Sequence, residues 1–311
     1  MKKTDIICIG TALADSIIKG FDPKPVSKTG YRAVSGSLNV GGEAVNEAAT
    51  AVKLGMRTAV MCFLGIDPAG DMILHSMQEL NIDTSFVIRE KDHPTPVTTM
   101  FVNDDGSRRS ITNEAHRYNF HPEKYTDCFS DTKAIILGSL FRAPFNDPQI
   151  ISSVLKKAKE AGILVFADTK LPNFNPLSLS DIRDSLPLID YISPNEDEAS
   201  YYTGKSTPEE MADVFLGGGV KNVIIKLGSK GCYFRNSEIS VQLPACRIDA
   251  VDATGAGDSF IAGFASELLR GASDVDALSF GNACGAVCTT AVGATTALKD
   301  RSQVLDMLSR Q

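Results

Sequence analysis

Short apolar runs alternate with helically periodic segments along most of this chain, and that alternation restricts the fold more than any other feature. The runs Ile6–Gly10, Thr58–Leu64, Ala134–Leu137, Leu164–Ala167, Tyr191–Ser193 and Val223–Leu227 read as strands. Between them, Ala44–Leu54, Asp71–Leu80, Gln149–Ala161, Glu196–Tyr202 and Pro208–Leu216 carry the apolar spacing of helices. Strands that are apolar throughout, rather than at every second residue, are covered on both faces. Buried strands alternating with helices predict a three-layer α/β/α arrangement around a mostly parallel central sheet. The last part of the chain offers helices only, at Asp258–Leu269, Val275–Thr290 and Ser302–Leu308. No repeat or low-complexity linker divides the sequence, so residues 1–311 are expected to form one domain.

Two stretches interrupt the pattern. Ile17–Val40 is rich in Pro, Gly and Ser, and Pro96–Thr112 reads as a hairpin, Val97–Val102 and Arg108–Ile111 about the turn Asn103-Asp-Asp-Gly106. Both leave the main sheet and return to it. Residues 15–40 and 96–112 are therefore expected to build a small β-sheet lid over one edge of the core. A lid that closes over substrate would keep water from a reaction in which hydrolysis competes.

Composition narrows the function by exclusion. A formal net charge of -7 without a basic tract argues against a nucleic-acid surface. No apolar run approaches the roughly 20 residues that span a bilayer. The start, Met1-Lys-Lys followed within a few residues by Ile6-Ile-Cys-Ile-Gly10, is too short for a signal-peptide core. Seven scattered cysteines without a Cys-x-x-Cys pair are most simply free thiols in a reducing cytoplasm. Cys284 and Cys288 share a helix face with no further ligand nearby and read as packing residues.

The chemistry concentrates in Asp252-Ala-Thr-Gly-Ala-Gly-Asp258-Ser-Phe-Ile-Ala-Gly263. Gly255 and Gly257 open an apolar helix, whose unpaired amides and partial positive charge suit an anion. An acid at that point is either an N-cap or a group placed to take a proton from an attacking hydroxyl. The two common nucleotide motifs do not fit. Phe260 stands where a dinucleotide fold needs a third Gly or Ala, and Ala199 stands where a P-loop ending in Gly204-Lys205-Ser206 needs glycine. Gly204 reads instead as the terminator of the helix before it.

Asp252-Ala-Thr-Gly-Ala-Gly-Asp258 resembles the C-terminal signature of the ribokinase-like carbohydrate kinases of the phosphofructokinase-B type. Gly41-Gly42-Glu-Ala-Val-Asn46 is similar to that family's first signature, and Pro194-Asn195-Glu196-Asp-Glu198 to its Asn-x-x-Glu turn. The resemblance covers essentially the whole chain. It implies a ribokinase-like fold and ATP-dependent transfer of the γ-phosphate to a primary hydroxyl of a monosaccharide. It implies Asp258 as catalytic base, with the amides of Gly255, Ala256 and Gly257 holding the developing charge. Asp15, Gly41, Gly42 and Asn46 would bind the sugar, and Glu198 with Asn195 would organise Mg²⁺ through water. Lys226, Gly228, Ser229 and Gly231, in Lys226-Leu-Gly-Ser-Lys-Gly231, would face ATP, with Asn282 on the adenine side. K⁺ held by backbone carbonyls near the signature is a further expectation.

In Asp168-Thr-Lys170-Leu-Pro the chain departs from many relatives, because Lys170 takes a position where an asparagine is common. A lysine there can offer a point charge to the phosphoryl group in flight. Arg108, Arg109, Arg117 and Arg142 could hold a carboxylate or phosphate on the acceptor. Neighbours on a strand face opposite sides, so at least one of Arg108 and Arg109 is expected to be solvated. Asn113 and Arg117, beyond the hairpin, are expected to read the far end of the substrate. A nucleoside kinase, a sugar-phosphate kinase and a silent sugar- or nucleotide-binding protein are the alternatives. Exposed strand edges in the lid make a homodimer plausible.

Overall fold

The computed structural model describes residues 3–20, 30–102, 108–113, 120–173 and 175–310. Its centre is a nine-stranded sheet. In spatial order the strands are β13 (Ser240–Leu243), β12 (Cys232–Arg235), β11 (Asn222–Lys226), β10 (Tyr191–Ser193), β9 (Leu164–Thr169), β8 (Thr132–Leu140), β1 (Thr4–Ile9), β4 (Thr58–Gly65) and β5 (Asp83–Glu90). Every pair from β11 to β5 is parallel, and only the pairs β11–β12 and β12–β13, at one edge, are antiparallel.

Side chains of a strand point alternately to the two faces, and in β1 Ile7 and Ile9 pack on one side while Ile6 and Cys8 pack on the other. The first face is covered by α3 (Pro148–Glu160), α4 (Glu196–Thr203) and α5 (Pro208–Gly217), through Ile151, Ala199 and Phe215 among others. The second is covered by α1 (Glu43–Lys53), α2 (Pro68–Glu79), α6 (Ala256–Leu269) and α7 (Asp274–Cys288), through Ala44, Ile73, Phe264 and Leu278. A last helix, α8 (Arg301–Leu308), adds Val304 to a satellite core against α7. None of the described helices is long and apolar enough to cross a membrane. Cys284 and Cys288 are buried free thiols.

The two interrupting stretches join in a second, four-stranded sheet of order β3 (Ser35–Gly41), β2 (Leu13–Lys19), β6 (Val97–Val102) and β7 (Arg108–Thr112). β2 pairs with β6 in parallel and with β3 antiparallel, and β6–β7 is the expected hairpin. Its turn lies outside the described residues. Asp67 caps α2 through Gly70 N (2.8 Å), and its other oxygen accepts from Thr95 N (2.7 Å) just before β6. That structural role agrees with the sequence. Gly204 ends α4 in the left-handed conformation, φ 67°, as a terminator rather than a P-loop glycine.

Three strands lack a signal in the sequence. β5 and β13 are the outermost strands of the main sheet and only partly buried, so neither needs a continuous apolar run. β12 is buried, but Cys232–Arg235 is short and its following turn is polar.

Candidate active site

The functional side chains gather where β1, β8, β9, β10 and β11 end, the edge at which open α/β sheets bind ligands. A cavity of about 850 Å³ lies there, with Asp15, Asn46, Lys170, Glu198, Lys226 and Asp258 on its walls.

The floor is the start of α6. Gly255 sits at φ 77°, and a Cβ there would stand 2.5 Å from the Ala294 side chain, so this turn requires glycine. Asp252 braces the turn by accepting from Thr254 N (3.0 Å) and Gly293 N (3.0 Å). No side chain caps the helix start, and Gly255, Ala256 and Gly257 line the cavity. One expectation changes here. The Ala256 amide donates to Ala253 O at 3.2 Å, closing the turn on itself, so it is not among the free amides.

Asp258 follows in the first turn, buried, and caps nothing. Its Oδ2 accepts from Asn46 Nδ2 at 2.8 Å, and its Oδ1 lies 4.0 Å from Lys170 Nζ. Burial pushes its carboxyl above the usual range, and Lys170 and the Asn46 bond oppose that while Glu43 adds to it. A carboxylate that is accessible from the cavity, oriented by an amide and raised in basicity fits proton abstraction better than capping.

Asn46 reaches Asp258 because α1 starts tightly against the loop after β1. At Gly42, φ is 100° and a Cβ would meet Thr11 O at 2.4 Å. A Cβ at Gly41 would meet Asp15 Oδ2 at 2.3 Å. Asp15 itself lies within β2, opposite Asn39 and Thr98. Burial, then the Glu43 charge, pushes its carboxyl up to about 6.

On the opposite wall, Asn195 and Glu198 form a reciprocal capping box at the start of α4. Asn195 Oδ1 accepts from Glu198 N (2.9 Å), and Glu198 Oε2 accepts from Asn195 N (3.0 Å) and from Thr169 Oγ1 (2.8 Å). The Asn195 oxygen is thus spent on the helix, while Glu198 keeps lone pairs beyond its two bonds and lines the cavity. Lys226 Nζ pairs with Asp168 and lies beside Gly257, where a Cβ would stand 3.2 Å from it. Gly228, Ser229 and Gly231 follow on the same wall. Gly231 has φ 94°, and a Cβ would stand 2.0 Å from Leu243 O. Asn282 lines the cavity, its amide directed at Pro244 O (3.3 Å) and Cys232 Sγ (3.5 Å).

A second cavity of about 350 Å³ continues beneath the small sheet and shares Leu13 and Glu43 with the first. Thr11, Thr98, Ser110, Thr112 and Arg142 line it. Asn113 does not join either lining. Its Oδ1 accepts from Val97 N (2.6 Å) and its Nδ2 donates to Thr95 O (3.3 Å), so it fastens β6 to the chain end of β7. Arg117 lies outside the described residues, as does the side chain of Arg108, and Arg109 is exposed. Sequence reasoning missed Glu43, Glu47 and the role of Asp168. The last had a signal, an acid closing a strand of apolar residues. Glu47 had one too, an acid on the alanine face of α1.

The fold is ribokinase-like. Ribokinase from Arabidopsis thaliana, solved with ribose and ATP, superposes with a TM-score of 0.86 at 27% identity, covering 98% of both chains. Ribokinase from Thermotoga maritima gives 0.82 at 26% identity, covering 98% and 99%. In sequence, the chain is 31% identical to the 2-dehydro-3-deoxygluconokinase of Bacillus subtilis, over 88% of each chain. It is 30% identical to a ribokinase of Arabidopsis thaliana, over 97% of this chain and 80% of that one. The profile of the pfkB family carbohydrate kinases matches residues 3–301, and the protein belongs to that family.

Proposed function

We propose that this protein transfers the γ-phosphate of ATP to a primary hydroxyl of a monosaccharide-type acceptor, a sugar acid being the acceptor its walls suit best. The observation that carries the reading is Asp258, buried at an uncapped helix start and oriented by Asn46. The acceptor oxygen attacks the γ-phosphorus in line, the bond to the β-phosphate oxygen breaks, and Asp258 takes the hydroxyl proton. The free amides at Gly255 and Gly257, with Lys170 and Lys226, hold the charge that develops, a contribution of a few kcal/mol per donor. Mg²⁺ would sit near Glu198, whose buried carboxylate and spare lone pairs suit a hydrated cation, and when bound it would neutralise phosphate charge. K⁺ belongs to the same reading and is checked by assaying in K⁺ against Na⁺.

Asp15 and Asn46 suit a diol, since each can bond two hydroxyls. Among the described residues the smaller cavity offers hydroxyls, one guanidinium, the Glu43 carboxylate and the Asn173 amide, with no aromatic side chain in its lining, which disfavours a nucleoside. Arg142 there supports an anionic end on the acceptor. The small sheet of β2, β3, β6 and β7 would act as the lid over it. Leu38 and Ile111, exposed on the small sheet at 56% and 70%, and Val34 just before β3 at 85%, support pairing of two copies through that sheet, which sedimentation would test.

The deciding experiment is ADP release from Mg-ATP with free sugars, sugar acids, sugar phosphates and nucleosides, alongside Asp258→Asn. Turnover on one acceptor class that fails in the variant is the expected result. Silence on all acceptors with ATP still bound would overturn the reading in favour of a binding protein.

A further inference from the structure

Behind Asp258 lies an acid that phosphoryl transfer does not call for. Glu47, next to Asn46 on α1, is 0% exposed, and neither of its carboxyl oxygens has a hydrogen-bond partner among the described residues. One oxygen from each of Glu47, Asp168 and Asp258 lies within 4.8 Å of the other two. Asp258 faces it from α6, Asp168 and Lys170 from the end of β9, Glu43 from its own helix and Cys8 from β1. From β8, Gly138 closes the pocket: a Cβ there would stand 3.0 and 3.2 Å from the two Glu47 oxygens.

The charges can be paired off. Lys226 is bonded to Asp168 Oδ1, and Lys170 stands 4.0 Å from Asp258. Of the three clustered acids, Glu47 is the one left over. A buried carboxylate without a hydrogen-bond partner neutralises itself rather than remain charged. One proton balances the three clustered acids against the two ammonium groups, and Glu43, on the cavity wall, stands outside that cluster. A second orphan fits this one: Asp168 Oδ2 is buried and has no hydrogen-bond partner among the described residues. One proton on Glu47 gives a donor to an acceptor that has none.

We propose that Glu47 is a neutral carboxylic acid whose O–H donates to Asp168 Oδ2, making it a positioning residue that holds Asp168, and through it Lys226, at the anion nest. Burial, then the charges of Asp258, Asp168 and Glu43, push the Glu47 carboxyl well above its usual range, with Lys170 opposing. A carboxyl raised on folding costs stability above its unfolded pKa, increasingly until the folded pKa is passed. Glu47→Gln, which keeps a donor and needs no proton, should therefore be at least as stable as the wild type and lose part of the stability decline with rising pH.

The test is infrared spectroscopy of the intact protein near neutral pH, joined to kinetics. The wild type should show the carbonyl band of a protonated carboxylic acid, sensitive to deuterium exchange and missing in Glu47→Gln. The kinetic arm rests on the phosphotransfer reading above, and the infrared arm does not, so the two can fail separately. In the kinetic arm Glu47→Gln should keep the wild-type KM for ATP and shift the alkaline limb of kcat/KM. Glu47→Ala, lacking the donor, should raise KM for ATP about 10-fold with kcat less affected, as the loss of one bond to a charged group implies. If Glu47→Ala does not fold, Glu47→Gln and the infrared band decide alone. A wild type without the band, a Gln variant as impaired as the Ala variant, or stoichiometric Mn²⁺ binding that Glu47→Gln abolishes would each overturn the proposal.

Discussion

Asn46 Nδ2 and Asp258 Oδ2 meet at 2.8 Å across 212 residues of sequence, joining the first turn of α1 to the first turn of α6. The bond makes one unit of two helix starts. It also fixes which Asp258 oxygen is occupied and which stands beside Lys170. In Asp258→Asn the new side-chain oxygen can still accept from Asn46, so the geometry should survive. Turnover should fall by about 10²- to 10⁴-fold, the usual worth of a general base, with ligand affinity retained. Because burial raises the folded pKa of Asp258, its charge costs stability above the unfolded pKa, and the variant should melt higher at neutral pH. Lower thermal stability in Asp258→Asn would contradict this account of its burial.

Much of that unit was legible in the sequence. Gly41-Gly42 and Gly255-x-Gly257 are explicit because only glycine tolerates the backbone at Gly42 and Gly255 and the approach of Asp15 at Gly41. Asp258 and Asn46 stand at fixed offsets from them. What stayed hidden depends on side-chain direction across distant elements. Asn113 is polar and follows the hairpin, yet its amide is consumed by β6. Nothing local distinguishes that from a substrate contact. Asp168 and Glu47 become meaningful only when β9 and α1 bring their oxygens together. Likewise β5 and β13 escape notice because a sheet edge does not demand continuous apolar sequence.

Lys170 provides a test of the electrostatics. It is held in its charged form because Asp258, Glu43, Asp168 and Glu198 outweigh the burial that disfavours its charge. In turn it lowers the pKa of Asp258. Lys170→Met removes that influence, so Asp258 should hold its proton to higher pH. The acid limb of kcat should then move upward, with a loss on the order of 10²-fold in the plateau from the missing charge. An acid limb that stays in place would separate Lys170 from the base.

Asp15 should govern a different limb. Its carboxyl, pushed up to about 6, must be ionised to accept two hydroxyl protons. As pH falls through that value, kcat/KM for the acceptor should drop while KM for ATP holds steady. Asp15→Asn should be weak at every pH and lack this limb. Initial rates against acceptor concentration across the acid range would show both effects.

The glycine at the start of α1 should matter for folding as well as function. Gly42→Ala combines φ 100° with a Cβ 2.4 Å from a backbone oxygen, and backbone cannot step aside as a side chain can. Strain and overpacking together should cost about 2–4 kcal/mol. Gly204→Ala is the control, because its φ is 67° but nothing lies within 4 Å of the added carbon. It should cost about 1–2 kcal/mol. Denaturant melts of the two variants would compare them directly, and equal losses would mean that the close approach to Thr11 is not required.

A substitution at Arg142 should separate the acceptor classes. Its Nε donates to Leu171 O at 2.7 Å, which holds the guanidinium along the wall of the smaller cavity, facing Thr98, Ser110 and Thr112. A hydrogen bond to a charged group is worth about 1.5–3 kcal/mol. For an acceptor with a carboxylate, Arg142→Ala should therefore raise KM about 10- to 100-fold, leaving kcat less changed, because the contact is made equally in ground and transition states. A neutral sugar loses no such contact, and its KM should change little. Comparing a sugar acid with its neutral counterpart in both proteins separates the cases. If the variant impairs both acceptors alike, Arg142 shapes the cavity through Leu171 rather than reading charge, and the sugar-acid preference falls with it.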